Sequence, residues 1–126
     1  MPEAREKAMT GAEVEAWLNK HLPEWKLTDG WIRRTYKTSS WKGTLMVINT
    51  VGHIAEAAWH HPDLSASYAW VEVRLMTHSA KGITDKDLTL ARKIEDVLMW
   101  RPGKDASNSL EGTPAGDMRF AYIKYD

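Results

Sequence analysis

The sequence predicts an α+β fold, a single antiparallel sheet with helices packed on one face, from three features. Two capping-box pairs, Thr10 with Glu13 and Thr84 with Asp87, each open a run of apolar residues at helical spacing. Between them, Ser67 to Thr77 alternates, with Ala69, Val71, Val73 and Leu75 on one side and Tyr68, Trp70, Glu72, Arg74 and Met76 on the other. An apolar face backed by one that mixes aromatic and charged groups is expected of a strand covered by helices on one side only.

In chain order, Val14, Trp17, Leu18 and Leu22 follow the first capping pair and predict a helix ending near His21, ahead of Pro23. Trp25 to Leu27 and Trp31 to Tyr36 flank Thr28, Asp29 and Gly30, which reads as a hairpin. From Trp41 a stripe of Trp41, Leu45, Ile48, Val51 and Ala55, continuing to Ala58, predicts a second helix. Gly43 and Gly52 lower its intrinsic propensity, so packing must hold it. Pro62 disfavours a helical conformation at His61 and breaks it there. Leu88, Ala91, Ile94, Val97 and Leu98 supply the last helix, which should stop before Pro102. Gly103 to Gly116 has the composition of a surface loop, and Phe120 to Tyr125 alternates as a short edge strand would. The expected organisation is one α+β domain over residues 1–100, with residues 101–126 as a C-terminal extension packed on it.

A chain of 126 residues suits a single domain with a real though modest core, for which subunit association is a ready source of further burial. Seventeen Lys and Arg balance seventeen Asp and Glu, so overall charge points to neither nucleic acid nor an anionic membrane. The absence of cysteine excludes disulfides, a thiolate nucleophile and cysteine-ligated zinc. The opening MPEAREKAMTG has no apolar signal core, and no stretch approaches the about 18 apolar residues of a membrane span. A soluble, cytoplasmic protein with no membrane contact and no direct nucleic-acid binding is expected.

Three of the five histidines stand where secondary structure ends: His60 and His61 after the second helix, His78 after the long strand. Side chains at element ends can converge on a cleft without occupying core volume. His53, in mid-helix, reads instead as a polar-face residue. Three imidazoles could hold zinc, but adjacent His60 and His61 would have to point differently to share one ion, and no carboxylate stands at ligand spacing beside His78. Neither metal nor cofactor is expected. Imidazoles suit proton transfer, because their ordinary pKa lies near neutrality.

The stretch EAAWHHPDLSASYAWVEVRLMTHSAKGITDKDLTLARKI, from Glu56 to Ile94, resembles the signature region of the pterin-4a-carbinolamine dehydratases. The shared pattern is an acidic residue, His-His-Pro, a Tyr in the next strand, Thr-His at its end, then a Thr-x-x-Asp helix start followed by Leu-Ala. The likeness runs over roughly residues 12–100. It implies a hydro-lyase of tetrahydrobiopterin metabolism that removes water from 4a-hydroxytetrahydrobiopterin to give the quinonoid dihydropterin, by histidine acid–base catalysis without cofactor or metal. It further implies His61 as the principal acid–base residue, His78 as its partner across the substrate and His60 as a binding and proton-transfer residue, with the donor and acceptor unassigned. Asp87 matches a supporting carboxylate that orients an imidazole; a plain helix-cap role, bonding back towards Thr84, is the alternative, and the two can coexist. Glu56 matches an acidic residue placed to accept hydrogen bonds from the pterin.

One departure is Leu64, where family members often carry Trp, so a wall of the cleft loses an aromatic surface. Proteins similar to this family also serve as a dimerisation partner of a homeodomain transcription factor or as assembly factors for the carbon-fixing carboxylase. A non-catalytic interaction module is therefore the rival reading, and a related step in molybdopterin metabolism a third. A homodimer or homotetramer is expected, both from the resemblance and because Tyr68, Trp70 and Met76 among Glu72 and Arg74 suit an interface with charges at its rim.

Overall fold

The computed structural model describes residues 7–125. Helix α1 (Gly11–His21) opens on the expected reciprocal cap: Glu13 N–H donates to Thr10 Oγ1 at 3.1 Å, and Thr10 N–H donates to Glu13 Oε1 at 2.8 Å. The hairpin of β1 (Lys26–Thr28) and β2 (Trp31–Lys37) turns on Asp29 and Gly30, with φ of 55° and 83°. Two successive residues with positive φ match the right-handed twist of the flanking strands, which is why an Asp-Gly pair closes so tight a hairpin. Helix α2 (Trp41–Ala58), strands β3 (Asp63–Ser67) and β4 (Trp70–Leu75), and helix α3 (Asp85–Leu98) follow. The four strands form one antiparallel sheet in the order β1-β2-β4-β3.

Core-facing positions are Ile32, Arg34 and Tyr36 of β2 and Val71, Val73 and Leu75 of β4, all buried. The helices meet them with Val14 and Leu18, Val47 and Val51, and Leu88, Ala91, Ile94 and Leu98. Arg34 is a charge on the core face of the sheet, and its guanidinium reaches the Glu95 carboxylate on α3 at 3.1 and 3.3 Å. Glu95 Oε1 also accepts from Trp25 Nε1 at 3.0 Å and from the Tyr36 hydroxyl at 2.6 Å. Burial, then the neighbouring Glu95 charge, pushes the Tyr36 hydroxyl far above its ordinary pKa, so it stays a donor.

Three expectations are corrected. The expected strand Ser67–Thr77 shrinks to β4 (Trp70–Leu75); Ser67 instead ends β3, a strand the sequence reading did not expect, and Tyr68 and Ala69 turn the chain between the two. These two residues carry no turn signature, because the turn is held from outside: Thr44 Oγ1 donates to the Tyr68 carbonyl at 2.8 Å and Thr38 N–H to that of Ala69 at 2.9 Å. The buried stripe of α2 is Thr44, Val47, Val51 and Ala55, while Trp41 and Leu45 are exposed. Phe120 to Tyr125 is not an edge strand of the sheet; a short 3₁₀ turn over Met118–Phe120 leads to an isolated bridge between Thr38 and Ile123.

The bridge nevertheless anchors the C-terminal segment. Ser39 N–H donates to the Tyr122 carbonyl and Lys124 N–H to that of Lys37, at 3.2 and 2.8 Å. A Cβ at Gly43 would collide with the Tyr122 carbonyl, so glycine in the first turn of α2 is what admits the tail. Ile123 is thereby wholly buried in the core. On the proposal that residues 101–126 belong structurally to the domain, Ile123→Ala should lower unfolding stability by about 2–4 kcal/mol, read as a shift in the urea midpoint at unchanged slope. An unchanged midpoint would show the tail to be dispensable.

Candidate functional site

The open end of the β3–β4 hairpin gathers the histidines. The ladder ends at the pair Asp63 and Arg74, so His60 and His61, just before β3, and Thr77 and His78, just after β4, emerge at the same edge. Helix α2 delivers the first two: Trp59 caps it in the left-handed region, and His60 N–H donates to the Ala55 carbonyl at 3.2 Å. On the other side, Thr77 and Gly82 exchange backbone hydrogen bonds of 2.8 and 3.3 Å around the turn that holds His78, returning the chain to Thr84 at the start of α3.

Asp87 lies at the junction and is completely buried. Its Oδ2 accepts from Thr77 Oγ1 at 2.7 Å and from Thr84 N–H at 2.9 Å, and its Oδ1 lies 2.6 Å from His60 Nε2. One oxygen thus serves the helix cap and the other meets the imidazole. An ionised carboxylate only accepts, which would put the proton of this contact on Nε2 of His60. His61 lies in a different setting: its Nε2 is 2.9 Å from Glu56 Oε1, and both side chains are more than half exposed. Glu56 thus faces His61. His78, also exposed, has the Trp31 ring edge-on at 5.7 Å.

Not all the sequence-selected residues share one hollow. A groove of about 1060 Å³ between α2 and α3 is lined by Thr50, Ile54, Trp59, His60, Lys86 and Leu90 among others; His61 and His78 lie outside it. His53, an exposed residue, also lines this groove. Sequence reasoning quoted Thr77 in the Thr-His motif without giving it a role, yet it fixes Asp87, and it passed over Trp59 and Trp31, the ring neighbours of His61 and His78. Thr77 was signalled by its place beside His78 at a strand end; the indole contacts had no signal in the linear pattern. Among the described residues, no three of His, Cys, Asp and Glu are grouped to hold a metal ion, and no helix is long and apolar enough to cross a membrane.

A structure described as a transcriptional coactivator/pterin dehydratase from Brucella melitensis superposes with a TM-score of 0.66 at 28% identity, covering 72% of this chain and 98% of that one. A pterin dehydratase-like protein, described as a RuBisCO assembly factor in the alpha-carboxysome, superposes with a TM-score of 0.51 at 12% identity, over 61% of this chain and 92% of that one, and shows the fold alone. In sequence, a relative from Aquifex aeolicus, provisionally named a pterin-4-alpha-carbinolamine dehydratase, is 40% identical over 79 residues, 63% of this chain and 80% of the relative. The Pterin 4 alpha carbinolamine dehydratase family profile matches residues 7–97, from the approach to α1 to the last turn of α3, and the chain belongs to that family.

Proposed function

We propose that this chain dehydrates a pterin-4a-carbinolamine, 4a-hydroxytetrahydrobiopterin by the family's example, using its histidines as general acid and base. The N5 lone pair weakens the C4a–O bond; the hydroxyl takes a proton and leaves as water, and the N5 proton passes to a base, giving the quinonoid dihydropterin. Placed imidazoles supply both transfers near neutrality, with no covalent intermediate and neither metal nor cofactor. His61 is the principal acid–base residue, exposed and paired with Glu56. His78 works from the other side of the substrate, and Glu56 also helps to bind it.

The observation that carries this reading is the buried carboxylate of Asp87 at 2.6 Å from His60 Nε2. A carboxylate fixed by Thr77 and Thr84 holds the imidazole in one orientation and one tautomer, leaving Nδ1 as the nitrogen free to exchange a proton with substrate or water. A fold kept only as an interaction module would not need that arrangement. The catalytic form is a homo-oligomer: Trp41, Leu45 and Met46 form an exposed apolar patch on α2, and β3 is an open sheet edge.

Three outcomes are expected. His61→Ala should lose about 10²-fold or more in carbinolamine dehydration with an unchanged far-UV spectrum, since an exposed imidazole contributes little packing; near wild-type turnover would remove His61 from the mechanism. Activity should survive exhaustive chelation, because no Lewis acid takes part, and a stoichiometric zinc whose removal abolishes turnover would overturn this. Light scattering at micromolar concentration should give a multiple of the 14.4 kDa chain mass; a monomer unchanged at higher concentration would refute the assembly.

A further inference from the structure

Trp59 stands at the end of α2 with φ 53° and ψ 44°, the left-handed conformation that glycine adopts freely and a side-chain-bearing residue resists. Its own fold gains little from the indole, which is 75% exposed. A large aromatic ring at a strained backbone position, facing solvent, stands immediately before the two adjacent site histidines. The indole meets the His61 ring edge-on, with centroids 5.0 Å apart and planes at 80°, and it lines the α2–α3 groove beside His60. It is thus the residue that joins the exposed histidine to the groove that His61 itself does not reach.

The other indole of the site differs in this respect. Trp31 is half-buried and carries the Arg74 guanidinium at 5.6 Å as well as the His78 ring. Leu64 is partly buried against the core and offers the site no ring. Trp59 has His61 as its ring neighbour, lines the α2–α3 groove and is 75% exposed. Strain localised at a functional site is retained where the side chain serves the ligand and not the fold.

We infer that Trp59 is the stacking platform for the substrate, an exposed indole that takes the flat bicyclic ring of a pterin on its free face and holds it against His61 at the mouth of the groove. The inference rests on the dehydratase reading above. Stacking is sequence-blind chemistry for any planar heterocycle, so Trp59 contributes affinity and orientation while the histidines carry the protons.

The test compares wild type, Trp59→Gly and Trp59→Phe, measuring carbinolamine dehydration kinetics, the dissociation constant of pterin itself by fluorescence anisotropy, and Tm. Glycine suits φ 53°, so Trp59→Gly should melt no lower than wild type while KM and the pterin dissociation constant rise about tenfold, with a smaller change in kcat. Trp59→Phe, which keeps a ring, should fall between the two. If Trp59→Gly proves unstable, Trp59→Asn, also tolerated at this φ, carries the same comparison. A stable ring-less variant that binds pterin as tightly as wild type, with unchanged KM, overturns the platform alone. A wild-type protein that neither binds pterin nor dehydrates the carbinolamine overturns the dehydratase reading and this inference with it.

Discussion

The carboxylate of Asp87 is the constraint on which the rest of the site depends. A fully buried negative charge is tolerated only when its lone pairs are occupied, and here three donors from three parts of the chain converge on it. Thr77 comes from the end of β4, Thr84 from the cap of α3, and His60 from the loop that leaves α2. Each bond separately satisfies a polar group; together they fix the mutual position of three elements that are distant in sequence. Loss of any one donor would leave part of a buried carboxylate unsatisfied, at a cost of about 1–3 kcal/mol. The same bonds that orient the imidazole therefore resist disorder in the scaffold around it.

A second polar node performs the equivalent task away from the histidines. Glu95, near the other end of α3, accepts from Trp25, Arg34 and Tyr36 and so ties the helix to the first hairpin. Asp87 and Glu95 are eight positions apart, which is close to two helical turns, so both project to the sheet side of α3. The apolar residues Leu88, Ala91 and Ile94 fill the space between these two anchors. A hydrophobic stripe alone would let a helix slide or rotate on a sheet; two directional contacts at its ends define its register. This accounts for the precision with which Asp87 is delivered to His60.

Much of this was legible in the sequence where the information is local. Both capping boxes, the Asp-Gly hairpin and the helix break around Pro62 depend on residues within a few positions of one another, and the structure realises each. That His60 and His78 stand where their elements end was legible in the sequence, and the structure brings both out at the open end of the β3–β4 hairpin, with Asp87 2.6 Å from His60. What escaped was set by distant partners. The Tyr68–Ala69 turn is stabilised by Thr38 and Thr44, so the alternating pattern of Ser67 to Thr77 gave no sign of a reversal. Opposition of Leu64 to Val73 and of Ala66 to Val71 changes the parity of the core-facing positions across that turn, which a single-strand reading cannot express. On α2 the apolar residues extend around more than one face, so hydrophobicity alone does not say which stripe is buried; Val47 enters the core while Leu45 stays outside.

The adjacent histidines show how one dipeptide can yield two chemical environments. His60 is largely enclosed, its Nε2 committed to a carboxylate held by two further hydrogen bonds, whereas His61 is exposed and paired with the solvent-facing Glu56. Successive residues of an extended chain point to opposite sides, so a His-His pair leaving a helix presents one ring inward and one outward. Pro62 favours that extended geometry by disfavouring the helical conformation at His61. The inward ring is held in one orientation by a fixed charge; the outward ring keeps contact with solvent, through which a proton can be replenished. The dehydration proposed above would draw on both properties, rigidity where the substrate is aligned and exchange where the catalyst is reset. The His-His-Pro sequence supplies them in three residues, provided that an acidic residue stands at the right place in each environment, as Asp87 and Glu56 do here.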